Sequence, residues 1–201
     1  MRTGPKYKIA RRLGAPVFEK TQTQKYALSL ARKEKSSKRR PKQKSEFGSQ
    51  LNEKQKARYT YGISERQFAN YVRQSLSGGE PVQKLFARLE KRLDNVLYRT
   101  GLAITRSQAR QMAAHGHATV NGRRVTIPSI QFGAGDRVGI REGSAGSRLF
   151  ELVEERMKTI NAPLWIKLDP AKREAEVVGE PIYAPQDHIF DLGAVIEFYS
   201  R

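Results

Sequence analysis

The sequence predicts an α+β protein, on three observations. Apolar residues recur with helical spacing between residues 64 and 114, an Asn-Gly pair separates two strand-like segments at residues 119–125, and the first third is strongly basic. The predicted order is a basic, partly extended N-terminal arm over 1–48 and a helical domain over 49–91. An inserted unit of two helices and a small antiparallel sheet follows over 92–148, and a C-terminal helix with β-strands over 149–201 packs back on the body.

The basic arm comes first. The chain has 38 Lys+Arg against 20 Asp+Glu, a net charge of +18, and residues 1–58 alone hold 18 basic and 4 acidic side chains. Such an excess favours an anionic partner, whether nucleic acid, an acidic membrane surface or an acidic protein. The run from Arg32 to Ser45 has few apolar residues, so we expect it to be extended or disordered until an anion orders it, or to be a solvated linker.

The helical region shows start and stop signals. Ser64 with Gln67 three residues later is a capping box, Gly62 ends the preceding helix, and Gly78-Gly79 end the one that follows. Pro81 suits the first turn of a longer helix that runs to about Thr100, with apolar residues on one face.

The inserted unit has the strongest local signals. Thr105 and Gln108 form a second capping box, so a helix begins near Arg106 and places Arg110 one turn further along the same face. Asn121-Gly122 predicts a type I′ hairpin turn, and the strand DRVGIRE alternates basic with apolar residues. The stretch from 104 to 125 carries four arginines and no acid. Since guanidinium groups bind phosphates bidentately, this unit is predicted to bind structured RNA, and the alternative is a solubilising surface.

Several classes are disfavoured. With no cysteine, the chain has no disulfide, thiolate nucleophile or cysteine-ligated zinc, and the pair His115 and His117 lacks a third donor, so no metal or other cofactor is expected. No apolar run could span a bilayer, and the basic start lacks a signal-peptide core; an organellar transit peptide is a minor alternative. Residues 149–201 carry net charge −4 and should face away from phosphate or toward a basic protein. PLWIKLD and AVIEFYS are both predicted as strands, and Trp165 in the first of them is expected to pack on its neighbours.

The stretch RLDNVLYRTGLAITRSQARQMAAHGHATVNGRRV resembles a small RNA-binding domain found in some tRNA synthetases, pseudouridine synthases and heat-shock proteins. TGPKYKIARRLG, KSEFGSQLNEKQKARYTYG, SERQFANYV and VIEFYSR extend the resemblance over essentially the whole chain to bacterial-type small-subunit ribosomal protein four. The resemblance implies a non-enzymatic, cytoplasmic component of the small subunit that binds a multi-helix junction in the rRNA 5′ domain and nucleates assembly. It also implies ribosomal protein five and other small-subunit proteins as partners, and a role in accuracy near the mRNA entry site, with no membrane partner. Some members bind zinc through N-terminal cysteines, which this chain lacks.

The resemblance also implies a set of rRNA-binding residues: Lys6, Lys8, Arg11, Arg12, Arg39, Arg40, Lys54, Lys56, Arg58, Arg66, Arg73, Arg92, Arg106, Arg110, Asn121, Arg123 and Arg124. Of these, Arg39 and Arg40 belong with Lys38, Lys42 and Lys44 to a strip that corresponds only loosely to the family's entry-channel basic region. Asp94 matches too, but as an acid it is expected to orient a neighbouring arginine. Without zinc, the arm over 1–48 is expected to be largely mobile until RNA orders it.

Two rival functions remain open. An RNA-modifying enzyme would need a placed acid, base or nucleophile in a catalytic domain, and the acids outside the predicted RNA-binding unit lie mostly in a short tail. A free RNA chaperone or stress-response binder could use the same small domain without being a constituent of the ribosome.

Overall fold

The computed structural model describes residues 4–36 and 45–200, and two compact units divide the chain. The first unit comprises Met1–Leu85 and Ala184–Arg201, and the second comprises Phe86–Tyr183. The described α-helices are α1 (Lys6–Leu13), α2 (Gln24–Ser36), α3 (Glu46–Tyr61), α4 (Glu65–Leu76), α5 (Pro81–Glu90), α6 (Leu93–Arg99), α7 (Arg106–Ala114), α8 (Glu142–Ala145), α9 (Val153–Thr159) and α10 (Leu192–Ser200). The described strands are β1 (Ala118–Val120), β2 (Arg123–Val125), β3 (Arg137–Ile140), β4 (Ile166–Asp169) and β5 (Glu174–Val177). The predicted α+β class is confirmed.

The N-terminal segment is folded between residues 6 and 36. Ile9 and Leu13 of α1 join Phe18 and Tyr26 in a buried cluster, and the Asn52 side chain on α3 donates to the carbonyl of Leu13 at 3.1 Å. The prediction of a partly extended arm is therefore wrong from α1 to the start of α2, because enough apolar surface is buried there to offset chain ordering. The start of the Arg32–Ser45 run, to residue 36, is also helical and not extended, since it belongs to α2. The rest of that run to residue 44 lies outside the described residues, and mobility without RNA stays a prediction.

The rest of the first unit follows its capping signals except at the end. Ser64 accepts a hydrogen bond from the Gln67 amide, and Gly62 ends α3 in the left-handed conformation at φ 63°. AVIEFYS, predicted as a strand, is instead part of α10, which packs along α3. Asp191 starts this helix by accepting from the Gly193 amide at 2.7 Å, and Val195 is buried one turn later.

The predicted long helix after Pro81 is two helices. Its backbone is extended at Arg92 (φ −69°, ψ 140°), where it forms a β-bridge with Gln131. The Leu93 amide donates to the Ile130 carbonyl at 2.9 Å, and the Phe132 amide donates to the Lys91 carbonyl at 2.9 Å. These bonds replace helical ones, so α5 ends and α6 begins without a proline or glycine.

The second unit holds one five-stranded antiparallel sheet in the order β2-β1-β3-β5-β4. The predicted C-terminal strand β4 is thus continuous with the sheet of the inserted unit, and no boundary falls at residue 148. Helices and sheet share one core, to which α6 contributes Leu97, α7 contributes Met112, and the strand region contributes Trp165 at 8% exposure. The prediction that Trp165 packs on its neighbours is confirmed.

Candidate nucleic-acid interface

Helix α7 begins as the sequence predicts and carries two arginines on one face. Thr105 caps it by accepting from the Gln108 amide, and Ala109, Met112 and Ala113 are its buried residues. The Arg106 Nε donates to Asn95 Oδ1 at 2.9 Å, and its guanidinium lies over the Tyr98 ring at 4.3 Å. The first of these arginines is therefore held on both sides by α6.

Asp94 holds the second arginine. Arg110 Nε donates to Asp94 Oδ2 at 2.9 Å, while Arg92 reaches both oxygens of the same carboxylate at 3.0 and 2.9 Å. The expectation that Asp94 orients a neighbouring arginine agrees with these contacts. Arg92, however, is only 2% exposed, so the structure places it beneath the surface as a counter-charge and not where it could reach RNA directly.

A second acid lies below α6. Glu90, 1% exposed, accepts from Arg99 Nε and Nη2 at 2.8 and 2.9 Å and from the Asn95 amide at 3.0 Å. Sequence reasoning missed Glu90, Asn95 and Tyr98. Glu90 could have been found from the rarity of acids in this region, because Glu90 and Asp94 are the only acids between residues 81 and 125.

The predicted hairpin is confirmed. Asn121 and Gly122 both have positive φ, at 50° and 76°, as a type I′ turn requires. The Asn121 side chain is occupied within the protein, because its amide donates to Asp136 Oδ1 and its oxygen accepts from the Arg137 amide, both at 2.8 Å. The hydrogen bonds from Asn121 and from the Gly133 amide lower the pKa of Asp136. Asn121 therefore anchors the turn to β3, and the RNA contact expected of this exposed residue stays a prediction.

The hairpin arginines are exposed. Arg124 crosses the C-terminal end of α7, where its Nη2 donates to the His115 carbonyl at 3.4 Å. A Cβ on Gly116 would come within 2.3 Å of the Arg124 Nε, so only glycine allows the Arg124 side chain to lie this close. Glycine is also suited to the backbone here, because the φ of residue 116 is 73°. Arg123 lies directly before it on β2, opposite Val120.

The predicted residues of the first unit divide by exposure. Lys8, Arg12, Arg66 and Arg73 are exposed. Lys6 and Arg11 are partly buried, with Lys6 Nζ 5.6 Å from the Phe18 ring centroid. Arg39 and Arg40, with Lys38, Lys42 and Lys44, lie outside the described residues.

The predicted cations of α3 are engaged in the protein. Lys54 is 7% exposed and pairs with Glu65 at 2.7 Å, so it cannot contact RNA in this arrangement. Lys56 pairs with Glu53 at 2.7 Å, and Arg58 lies 3.4 Å from Glu65. Lys54 and Arg58 thus join α3 to Glu65 of α4, whereas the Lys56 pair lies within α3.

The acidic tail meets basic residues of its own unit. Glu176 on β5 pairs with Arg137 across the sheet at 3.1 Å, Glu154 pairs with Arg173 at 2.9 Å, and Glu180 pairs with Lys91. The strand cation Arg137 thus has an acidic partner within the sheet, whereas α7 and the hairpin contain no acid.

Neither a metal site nor a membrane span is found in the part of the chain that the structure describes. Over residues 4–36 and 45–200, no three or more His, Asp or Glu side chains cluster as metal ligands, and no helix there is long and apolar enough to cross a bilayer.

Comparison with known proteins connects both parts of the chain to one family. Residues 91–138 match the model of the S4 domain, and residues 1–106 match the model of the ribosomal protein S4/S9 N-terminal domain. The protein called small ribosomal subunit protein uS4 in Roseiflexus castenholzii is 41% identical over 201 residues, which cover 98% of each chain. The proteins of the same name in Halothermothrix orenii and Latilactobacillus sakei are 37% and 38% identical, and their matches cover 98% and 99% of this chain and 98% of each relative.

Proposed function

This chain belongs to the family of small ribosomal subunit protein uS4, and on that premise we propose that it binds small-subunit rRNA through α7 and the β1–β2 hairpin. One observation carries the proposal. Arg106 and Arg110 stand one helical turn apart, each with its Nε held from below by α6. Arg110 donates to Asp94 through Nη2 as well as Nε. A planar guanidinium carries five N–H donors, so one arginine can bind a neighbouring side chain and a phosphate at the same time. Folded RNA is recognised largely through the shape of its backbone, which suits a fixed pair of this kind.

The finer role rests on the family resemblance. We propose that the protein binds a multi-helix junction in the 5′ domain of small-subunit rRNA, nucleates assembly, and affects decoding accuracy near the mRNA entry site. Ribosomal protein five and mRNA are the further partners proposed. The exposed cations Lys8, Arg12, Arg66 and Arg73 of the first unit support a second rRNA contact there.

The proposed role is structural and needs no metal or other cofactor. Ribosomal proteins of this family are generally structural components and not enzymes. The two acids nearest the arginines, Glu90 and Asp94, are 1% and 3% exposed and are bonded to guanidinium groups. Buried and engaged in this way, they support a framework and not acid–base catalysis.

Binding to an rRNA 5′-domain fragment, with an unrelated structured RNA of equal length as competitor, tests the proposal. We expect a strong preference for the rRNA, and for about ten phosphate contacts the logarithm of affinity should fall against that of salt concentration with a slope of about −7 to −9. Arg123→Ala should make that slope shallower by about 0.7–0.9, because one phosphate contact is lost. Lys172→Ala removes an exposed cation beside β4, at the opposite edge of the sheet, and should leave the slope unchanged.

Equal affinity for both RNAs, or for heparin, would contradict the proposal, and so would equal effects of the two variants. A free RNA chaperone is separated by co-sedimentation. A constituent of the subunit stays with small subunits at high salt, whereas a transient binder is released.

A further inference from the structure

The surface arginines of α7 rest on a layer of buried polar groups from the first turn of α6. We propose that Asn95 and Asp94 are positioning residues that hold Arg106 and Arg110 in the orientation that rRNA phosphates require. The inference rests on the proposed function and adds how the protein prepares its contacts before RNA arrives.

Asn95 has a fixed orientation. It is 2% exposed, and its amide nitrogen donates to the Glu90 carbonyl and to Glu90 Oε2, both at 3.0 Å. Rotating the amide by half a turn would set its oxygen against those two acceptors, so the nitrogen must face Glu90 and the oxygen must face outward. That oxygen accepts from Arg106 Nε, and the Tyr98 ring limits the guanidinium from another side.

Asp94 is fixed in a similar way. Both of its oxygens accept from Arg92, which is buried and leaves the carboxylate little freedom to turn. Its Oδ2 then defines where Arg110 Nε can lie. Arg110, with a side chain 29% exposed, is therefore oriented by the buried Arg92 through the carboxylate of Asp94, which both arginines share.

Charge balance explains why this anchoring does not cancel the binding surface. The cluster contains two carboxylates, Glu90 and Asp94, and four guanidinium groups, so its net charge is +2. Arg92 and Arg99 already balance the two acids one for one. The cluster as a whole thus keeps a net positive charge that attracts phosphate, while hydrogen bonds fix the geometry of Arg106 and Arg110.

Fixing a flexible side chain in advance reduces the ordering cost of binding and is worth roughly two- to tenfold in affinity for each side chain. Lysine cannot reproduce this arrangement. Its single ammonium group has no separate Nε donor, so it cannot reach Asn95 and a phosphate in the way that Arg106 can. A substitution that preserves charge should therefore weaken binding on α7 more than at an arginine that α6 does not anchor.

A double-mutant cycle on rRNA affinity tests Asn95. We expect Asn95→Ala to weaken binding by about five- to tenfold when Arg106 is present, without changing the salt slope because no charge is lost. In an Arg106→Ala background the same change should cost less than about twofold. An equal loss in both backgrounds would overturn the inference, since Asn95 would then act independently of Arg106.

Because Asn95 is buried, replacing it can disturb folding, so a second pair of variants leaves Asn95 unchanged. Arg106→Lys and Arg123→Lys both keep the charge at partly or fully exposed positions. We expect about a tenfold loss for the first and less than about twofold for the second, at an unchanged salt slope. Equal losses would overturn the inference.

The two proposals fail in different ways. A wild-type protein that does not prefer rRNA to the unrelated RNA defeats the proposed function. A wild-type protein that does prefer it, but gives an additive cycle or equal lysine variants, defeats only the positioning role. Unfolding in urea, followed by Trp165 fluorescence, confirms that each variant is folded at the RNA-binding condition.

Discussion

Replacing Asp94 by asparagine should strongly destabilise the second unit. Asp94 and Arg92 are 3% and 2% exposed, and two hydrogen bonds of 3.0 and 2.9 Å join them. Asparagine is nearly the same size, so no cavity forms, but the negative charge that compensates the buried guanidinium is lost. Removing one partner of a buried ion pair costs about 3–5 kcal/mol. That is a large fraction of the roughly 5–15 kcal/mol by which a typical domain is stable.

Urea unfolding followed by tryptophan fluorescence measures this effect in the relevant unit, because the chain has one tryptophan, Trp165, and it lies in the second unit's core. Glu176→Gln is the matched control. It makes the same change of acid to amide in an exposed pair with Arg137 on the same sheet, which should cost no more than about 1 kcal/mol. If Asp94→Asn costs as little as the control, the assignment of Asp94 and Arg92 as a buried charge pair is refuted.

Three further changes probe other parts of the structure. Gly116→Ala should lower the stability of the second unit by about 1–2 kcal/mol in the fluorescence assay, because it strains a φ of 73° and displaces Arg124; an unchanged midpoint would contradict this. Burial alone would raise the pKa of Glu65, but hydrogen bonds led by that from Lys54 outweigh it and lower the pKa below 4.5. The charged form of Glu65 therefore stabilises the first unit above that pH, and this stabilisation is lost progressively as the pH falls below it. Unfolding followed by circular dichroism should show a lower free energy of unfolding at pH 3 than at pH 6, and Glu65→Gln should show a smaller difference between the two pH values. Asp191→Ala should lower the free energy of unfolding of the first unit by about 1 kcal/mol, measured by thermal unfolding, because the cap of α10 is lost. An unchanged free energy of unfolding would mean that the cap is not needed.

Local signals predicted the elements that local chemistry determines. The Thr105 cap, the left-handed Gly116 and the Asn121-Gly122 turn each depend on one residue and its nearest backbone groups, and the structure confirms all three. Such features can be read from a short window because no distant residue has to supply a partner.

The errors arose where distant residues decide. The break at Arg92 depends on backbone bonds to residues 130–132, which no window around residue 92 contains. The segment AVIEFYS is compatible with either a strand or a helix, and packing against α3 with the Asp191 cap selects the helix. At the N-terminus, the density of positive charge obscured a modest set of apolar residues that is nevertheless sufficient to form a cluster.

The candidate site was predicted in its outer layer only. Arg106, Arg110, Arg123 and Arg124 could be found from residue type and spacing, whereas the groups that hold the first two could not. Glu90 and Asn95 read as ordinary polar positions when residues 81–99 are taken as one helix. The break between α5 and α6 is what turns them inward beneath α7.

This arrangement explains why the stretch from 104 to 125 holds four arginines and no acid. Acids within that stretch would lie among the exposed guanidinium groups and compete with phosphate for them. Acids from the preceding segment approach from below, where Glu90 and Asp94 are almost fully buried and are paired with Arg99 and Arg92 of the same segment. The protein can thereby fix the direction of Arg106 and Arg110 without removing the positive charge that draws RNA to them. Rigidity and attraction, which would conflict in a simple surface ion pair, are separated here into two layers.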